Sequence, residues 1–121
     1  EDLPNEKLVY EQYRGIRPAP GYPACPDHTE KPLIWDLMGI EKHTDISLTE
    51  NLAMYPSASV CGVYLAHPEA SYYNAGTFQR DQIEDYASRK NMPVAKVEQW
   101  LADRLAYDPV EYQEEQEAVP A

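Results

Sequence analysis

Residues 15–31 read GIRPAPGYPACPDHTEK, and this stretch governs the interpretation of the whole chain. Four prolines and two glycines lie within residues 15–27, and the pattern there is neither helical nor alternating. Proline fixes the backbone angle φ and lowers the entropy that a loop loses when it becomes ordered. We therefore expect a stiff, extended surface loop that is suited to act as a template for a ligand.

The segments on either side of this loop are predicted to be helical. Asn5 follows Pro4 and predicts a short helix that runs to Tyr13. A second helix is expected over residues 29–38, where Gly39 provides the left-handed stop. Its apolar stripe, which we expect to be buried, consists of Leu33, Ile34, Leu37 and Met38.

The rest of the chain predicts a hairpin followed by two helices. Strand-forming residues fill 48–55 and 59–67, which predicts an antiparallel hairpin in which Gly62 marks a close backbone approach. Thr77 is expected to cap a helix over residues 78–90. The last helix opens near Pro93 and presents one apolar face, formed by Val94, Val97, Leu101 and Leu105. Strands clustered between groups of helices favour an α+β fold, with helices around a small antiparallel sheet.

Composition limits the possible partners and compartments. The net charge of -11 argues against nucleic acid and against an anionic membrane surface. The two cysteines, Cys25 and Cys61, and the lack of a long apolar run favour a cytoplasmic protein with free thiols. Residues 1–109 are expected to form part of one domain, and residues 110–121 an acidic, disordered tail.

Arg17 is the residue of the loop that is best suited to hold an anion. Its planar guanidinium matches a carboxylate with two parallel hydrogen bonds, and the amides of Ala19, Gly21 and Tyr22 are expected to face a ligand's polar edge. The alternative from residue types alone is that Arg17 pairs with a structural acid such as Glu11. A zinc site at Cys25 and His28, completed by Cys61 and His67, is a further alternative.

The loop sequence GIRPAPGYPACPDHTEK resembles the signature of the activation domain of cobalamin-dependent methionine synthase. Collinear similarity continues through KHTDISLTENLAMYP, SASVCGVYLAHPEASYY, QRDQIEDYASRKNM and VEQWLADRLAYDP, so it covers roughly residues 5–109. This resemblance implies the carboxy-terminal part of a domain that binds S-adenosylmethionine. The family has a longer amino-terminal portion, including an aspartate that contacts S-adenosylmethionine, for which this sequence shows no counterpart.

The resemblance also implies roles for single residues. Arg17 and the adjacent pair Tyr72 and Tyr73 match family positions that contact S-adenosylmethionine, and the backbone from Pro18 to Gly21 is placed to read the adenine edge. A tyrosine face is suited to the sulfonium cation or to the adenine ring. Tyr22 and His28 match positions near the face where the cobalamin module docks.

The resemblance implies a role in reactivating oxidised cobalamin. An electron from a flavodoxin-like reductant and a methyl group from S-adenosylmethionine return oxidised cobalamin, held by another module, to methylcobalamin. We expect the chain to take part in methionine biosynthesis as part of a methyltransferase and to be inactive alone, with no catalytic side chain of its own. The alternative is a docking module for a corrinoid protein or a flavodoxin-like donor that binds no S-adenosylmethionine.

Overall fold

Within residues 2–118, which the computed structural model describes, the chain forms six α-helices and one two-stranded antiparallel sheet. The predicted α+β class is therefore confirmed. The chain divides into two compact units, Glu1–Ala75 and Gly76–Ala121. We call them unit 1 and unit 2 and describe each by itself.

Unit 1 opens with α1 (Asn5–Val9), which is shorter than the sequence predicts. The residue preceding it is Pro4, whose side chain provides no capping hydrogen bond. Glu11 adopts a left-handed backbone with φ of 55°, and its N–H donates to the carbonyl of Leu8. This turn ends the helical path before Tyr13 and sends the chain into the proline-rich loop.

The second helix, α2 (Glu30–Met38), confirms the predicted bounds, because Thr29 precedes it and Gly39 ends it with φ of 58°. A short α3 (Ile40–His43) follows. The predicted burial of the apolar stripe is wrong: Leu33, Leu37 and Met38 are exposed. The helix turns another face inward, formed by Lys31, Ile34 and Trp35. The Trp35 indole N–H donates to the carbonyl of Ile46, which fixes this orientation.

The predicted hairpin has a different pairing. Strand β1 (Ser47–Leu48) pairs with β2 (Met54–Tyr55), so the hairpin spans residues 47–55 and, except for Ser47, falls within the first predicted strand. Residues 59–67 run against the proline-rich loop instead. Leu65 and Ile16 exchange backbone hydrogen bonds, and the Val63 N–H donates to the carbonyl of Pro18.

The close approach predicted at Gly62 is confirmed. A Cβ added there would lie 3.0 Å from the carbonyl oxygen of Pro18, so a side chain would push the two segments apart. Glycine thus allows residues 59–67 to lie directly against the loop that carries Arg17.

Unit 2 contains α4 (Arg80–Lys90), α5 (Val94–Trp100) and a 3-10 turn (Ala102–Arg104). The prediction of Thr77 as the cap of α4 is wrong by two residues: Gln79 precedes the helix, and its N–H donates to Oε1 of Gln82. The helices α4 and α5 enclose an apolar core of Ile83, Ala87, Val97 and Leu101. Val94 and Leu105 pack against this core while partly buried, as the predicted face requires.

A buried carboxylate accompanies the core of unit 2. Glu98 is buried, and its Oε1 accepts hydrogen bonds from the Arg80 guanidinium and, at 2.8 Å, from the Tyr107 hydroxyl. Burial and the hydrogen bond to Glu98 raise the pKa of Tyr107 to about 12. The guanidinium also lies 4.7 Å from the centre of the Tyr112 ring. Glu98 is thus both paired and hydrogen-bonded, as a buried charge requires.

Within the acidic segment that is expected to be disordered from residue 110, the structure describes the helix α6 (Pro109–Ala118), while residues 119–121 lie outside the described residues. Proline at the first helical position and Asp108, whose Oδ1 accepts the Val110 N–H, explain why a helix starts there. None of the α6 side chains is buried. In the part of the chain that the structure describes, no helix has the length and apolar character needed to cross a membrane.

Candidate functional site

Arg17 and Tyr72 lie in one pocket of unit 1, although 55 residues separate them in the sequence. The backbone N–H of Arg17 donates to the Tyr72 hydroxyl at 2.9 Å. The pocket measures about 310 Å³, near the lower end of the usual range for small-molecule sites, which is about 300–1,000 Å³. Its lining residues are Tyr13, Arg14, Gly15, Ile16, Arg17, Tyr64, Leu65, Ala66 and Tyr72.

The backbone pairing described above builds this pocket. Because the backbones of Leu65 and Ile16 are hydrogen-bonded to each other, the sequence neighbours of both residues lie at one surface of unit 1. Tyr72 returns to the same surface, where its ring meets the Tyr13 ring edge to face at 6.5 Å between centroids. That geometry is the favourable one for two aromatic rings. The pocket lining therefore combines aromatic rings, Tyr13, Tyr64 and Tyr72, with the arginines Arg14 and Arg17.

The Arg17 guanidinium forms no ion pair within residues 2–118, and the predicted alternative pairing with Glu11 does not occur. Glu11 lies close enough to Tyr13 to act on it electrostatically. Burial, then the charge of Glu11 and the neighbouring Tyr72, raises the pKa of Tyr13. An exposed arginine with no ion-pair partner can receive an anion without first breaking a protein ion pair.

The backbone donors of the loop differ from the prediction. The N–H of Gly21 donates to the carbonyl of Cys25 at 2.8 Å, and the N–H of Tyr22 donates to the carbonyl of Ala19 at 3.2 Å. These two amides are therefore engaged in a turn over residues 19–25. Of the three amides predicted to face a ligand, that of Ala19 alone makes no backbone hydrogen bond within residues 2–118.

The other predicted site residues lie outside this pocket. Tyr73 is 60% exposed, and its side chain does not contribute to the pocket lining. Tyr22 is exposed in the turn. His28 lies beneath that turn, where its ring packs against Gly21. Pro18 is half-buried, and its carbonyl accepts the Val63 N–H.

Sequence reasoning missed three residues that line the pocket. Tyr13 was assigned to the first helix, Arg14 was given no role, and Tyr64 was placed in a hairpin strand. One signal was present: YRGIR, residues 13–17, places two arginines and a tyrosine around a glycine. Gly15, with φ of 79°, supplies the backbone bend between them.

Other features of the molecule suit this chemistry less well. A larger pocket of about 680 Å³ lies in unit 2, but Asp108 and Glu98 line it, and Glu98 already binds Arg80. Carboxylates repel an anionic ligand, so we favour the smaller pocket in spite of its size. Among the described residues, no group of three or more His, Cys, Asp or Glu side chains is arranged to hold a metal ion, and both cysteines are free thiols.

Comparison with known proteins places the chain in a family. The profile described as "Vitamin B12 dependent methionine synthase, activation domain" matches residues 1–91. The chain therefore belongs to the family of activation domains of vitamin B12 dependent methionine synthase.

A solved structure described as "Crystal Structure of the MetH Reactivation Domain bound to AdoHcy" is 60% identical in sequence. The match covers 89% of this chain with a TM-score of 0.82. It covers 33% of that chain, so the present chain spans about a third of the length of its relative.

Proposed function

We propose that this chain is an S-adenosylmethionine-binding part of a cobalamin-dependent methionine synthase, and that it supports reductive remethylation of cobalamin. The observation that carries the proposal is the pocket that Arg17 and Tyr72 line together, where the backbone N–H of Arg17 donates to the Tyr72 hydroxyl. Family membership and the relative bound to AdoHcy support the same ligand class, because AdoHcy is S-adenosylmethionine without its transferable methyl group.

The pocket chemistry matches the parts of this ligand. The Arg17 guanidinium is suited to the α-carboxylate of the methionine portion, which it can hold with two parallel hydrogen bonds. The rings of Tyr72 and Tyr64 offer faces for the sulfonium cation or for the adenine ring. Such a cation–aromatic contact contributes about 0.5–2 kcal/mol, depending on desolvation. The Ala19 amide is the backbone donor that remains for the purine edge.

In the proposed reaction, the role of this chain is to position S-adenosylmethionine, the methyl donor. Cobalamin, bound by another module, supplies the cobalt that accepts the methyl group once an electron from a flavodoxin-like reductant has been added. The reduced cobalt would act as the nucleophile toward the methyl carbon, and AdoHcy would leave with the electron pair of the broken carbon–sulfur bond. No proton moves in this step, so orientation by Arg17 and the tyrosines is the main requirement.

The place of the chain in the cell follows from the same proposal. It acts in methionine biosynthesis in the cytoplasm, as part of a methyltransferase whose other modules bind folate, homocysteine and cobalamin. No residue of this chain is proposed to ligate cobalt. We expect the isolated chain to give no turnover of homocysteine and methyltetrahydrofolate.

Calorimetric titration with AdoHcy tests the ligand assignment. Wild type is expected to bind, and Arg17→Ala is expected to weaken binding by more than about tenfold, or roughly 1.4 kcal/mol. Arg89→Ala is the matched control, because Arg89 is an exposed arginine of unit 2 whose partner is Asp85. This control variant is expected to bind as wild type does.

The possible outcomes separate the two function classes. Equal binding by wild type and Arg17→Ala would overturn the assignment of the carboxylate to Arg17. Absence of binding by wild type would favour the alternative, in which the chain docks a corrinoid protein or a flavodoxin-like donor without this ligand.

A further inference from the structure

Lys31, the last residue of the proline-rich signature, is a buried lysine with 5% of its surface exposed. Its ammonium donates to the carbonyl of Leu52 at 2.7 Å, and its Nζ lies 3.0 Å from Nδ1 of His28. Burial lowers the pKa of Lys31 below its ordinary value. A lysine is seldom buried to this extent, because desolvating the charge is costly unless hydrogen bonds compensate.

The contact between Lys31 and His28 leads to the loop that carries Arg17. The His28 ring lies against Gly21, so closely that a Cβ on Gly21 would come within 2.2 Å of Cε1. Gly21 has φ of 97°, and its N–H closes the turn onto the carbonyl of Cys25. The imidazole therefore supports the turn over residues 19–25 from below.

The contact between Lys31 and Leu52 leads to the β1–β2 hairpin. Leu52 has a left-handed backbone with φ of 59°, and its N–H donates to the carbonyl of Thr49. The Leu52 carbonyl points to the Lys31 ammonium. A single side chain thus joins the turn of the ligand loop to the turn of the hairpin, while its own backbone lies in the first turn of α2.

We infer that Lys31 is a positioning residue: by holding His28 through Nδ1 and the carbonyl of Leu52, it fixes the turn over residues 19–25. This inference rests on the proposed function, since the turn begins two residues after Arg17 and contains Ala19. An ammonium group only donates hydrogen bonds, so His28 accepts at Nδ1 and carries its proton on Nε2. The acceptor at Nδ1, more than the ring as a whole, is what the arrangement requires.

The test compares variants of Lys31 in two independent measurements. Amide hydrogen exchange at Gly21 and Cys25, without ligand, reports the turn, and calorimetric titration with AdoHcy reports the site. Lys31→Met keeps most of the side-chain length and removes the donors. It is expected to speed exchange at both amides by more than about tenfold and to weaken AdoHcy binding. Lys42→Met, at an exposed position of α3, is the matched control and is expected to change neither.

Variants of His28 keep the test decisive if Lys31→Met fails to fold. His28→Phe retains a ring beside Gly21 but offers no acceptor, so it is expected to resemble Lys31→Met. His28→Asn places an oxygen near the position of Nδ1 and is expected to restore slow exchange at Gly21. A merely space-filling role for His28 predicts the reverse order of these two variants, and that order would overturn the inference.

Each failure can be told apart. If wild type binds no AdoHcy, the proposed function fails, while the exchange data still decide whether Lys31 holds the turn. If Lys31→Met folds and keeps both exchange and AdoHcy affinity within about twofold of wild type, Lys31 has no positioning role.

Discussion

The two units of the molecule are stabilised in different ways. The interior of unit 2 is apolar, with Ile83, Val97 and Leu101 at its centre. In the described part of unit 1, Ile16 is the one large aliphatic side chain that is buried. The other buried side chains there are largely polar, namely Asp27, Thr29 and Lys31.

The two kinds of interior have different consequences: apolar contacts mainly stabilise a unit, whereas hydrogen bonds fix where its segments lie. Apolar burial stabilises without direction and scales with the area removed from water. Hydrogen bonds are directional, and they fix where a backbone segment lies even when their net contribution is only about 0.5–1.5 kcal/mol each. We therefore interpret unit 2 as a stable scaffold and unit 1 as a support for the Arg17 loop.

The largest expected effect on the free energy of unfolding is in unit 2. Ile83→Ala leaves a cavity at a residue that is 1% exposed, and such changes cost about 2–5 kcal/mol. Trp35 and Trp100 are the two tryptophans, one in each unit, so fluorine NMR of fluorotryptophan-labelled protein follows the units separately during urea unfolding. The Trp100 signal is expected to shift to a lower midpoint.

Val110→Ala provides the control for this change. Val110 is 63% exposed, so removing its methyl groups is expected to alter stability by less than about 0.5 kcal/mol. An effect of Ile83→Ala as small as that of the control would refute the apolar scaffold.

The second effect is expected in unit 1. Gly21→Ala meets both a positive φ of 97° and the His28 ring, so it is expected to lower the unfolding free energy by about 1–3 kcal/mol and to weaken AdoHcy binding. Gly39→Ala is the matched control, since Gly39 has φ of 58° but only ordinary contacts around its Cβ position. If both variants lose the same stability in urea unfolding, the packing of His28 against Gly21 contributes nothing.

The smallest expected effect on stability appears only in alkaline solution. The folded pKa of Tyr107 is about 12 against an ordinary value of 10.0, so this phenol stabilises the fold fully below pH 10. The contribution is lost as the pH rises through about 12, because the unfolded chain releases its proton first. Tyr107→Phe is expected to remove this part of the alkaline slope, measured by the Trp100 signal. An unchanged slope would show that Tyr107 titrates normally.

Local chemistry explains which parts of the fold were predictable. The bounds of α2 depend on neighbouring residues, Thr29 before it and Gly39 after it, and they were predicted correctly. The buried face of α2 depends on distant partners of Lys31 and Trp35, and it was predicted wrongly because hydropathy favours Leu37 over a lysine. The predicted pairing of the hairpin was wrong for the same reason, because residues 59–67 pair with the proline-rich loop at Ile16.

The grouping of residues in the candidate site depends on distant contacts. The family resemblance pointed to Arg17 and Tyr72, and no periodicity in the sequence indicates that residues 55 positions apart share a pocket. Tyr64 was missed because its place depends on the backbone pairing of Leu65 with Ile16. Which loop amides remain for a ligand was also unpredictable, since the turn at Gly21 uses its own donors.

The most direct test of the central claim is an NMR titration of the labelled chain with AdoHcy. The account predicts saturable shifts in the backbone amide of Arg17 and in the ring signals of Tyr13, Tyr64 and Tyr72, with the core residue Ile83 unchanged. Saturable shifts confined to residues outside this pocket, or no shifts at any ligand concentration, would contradict it.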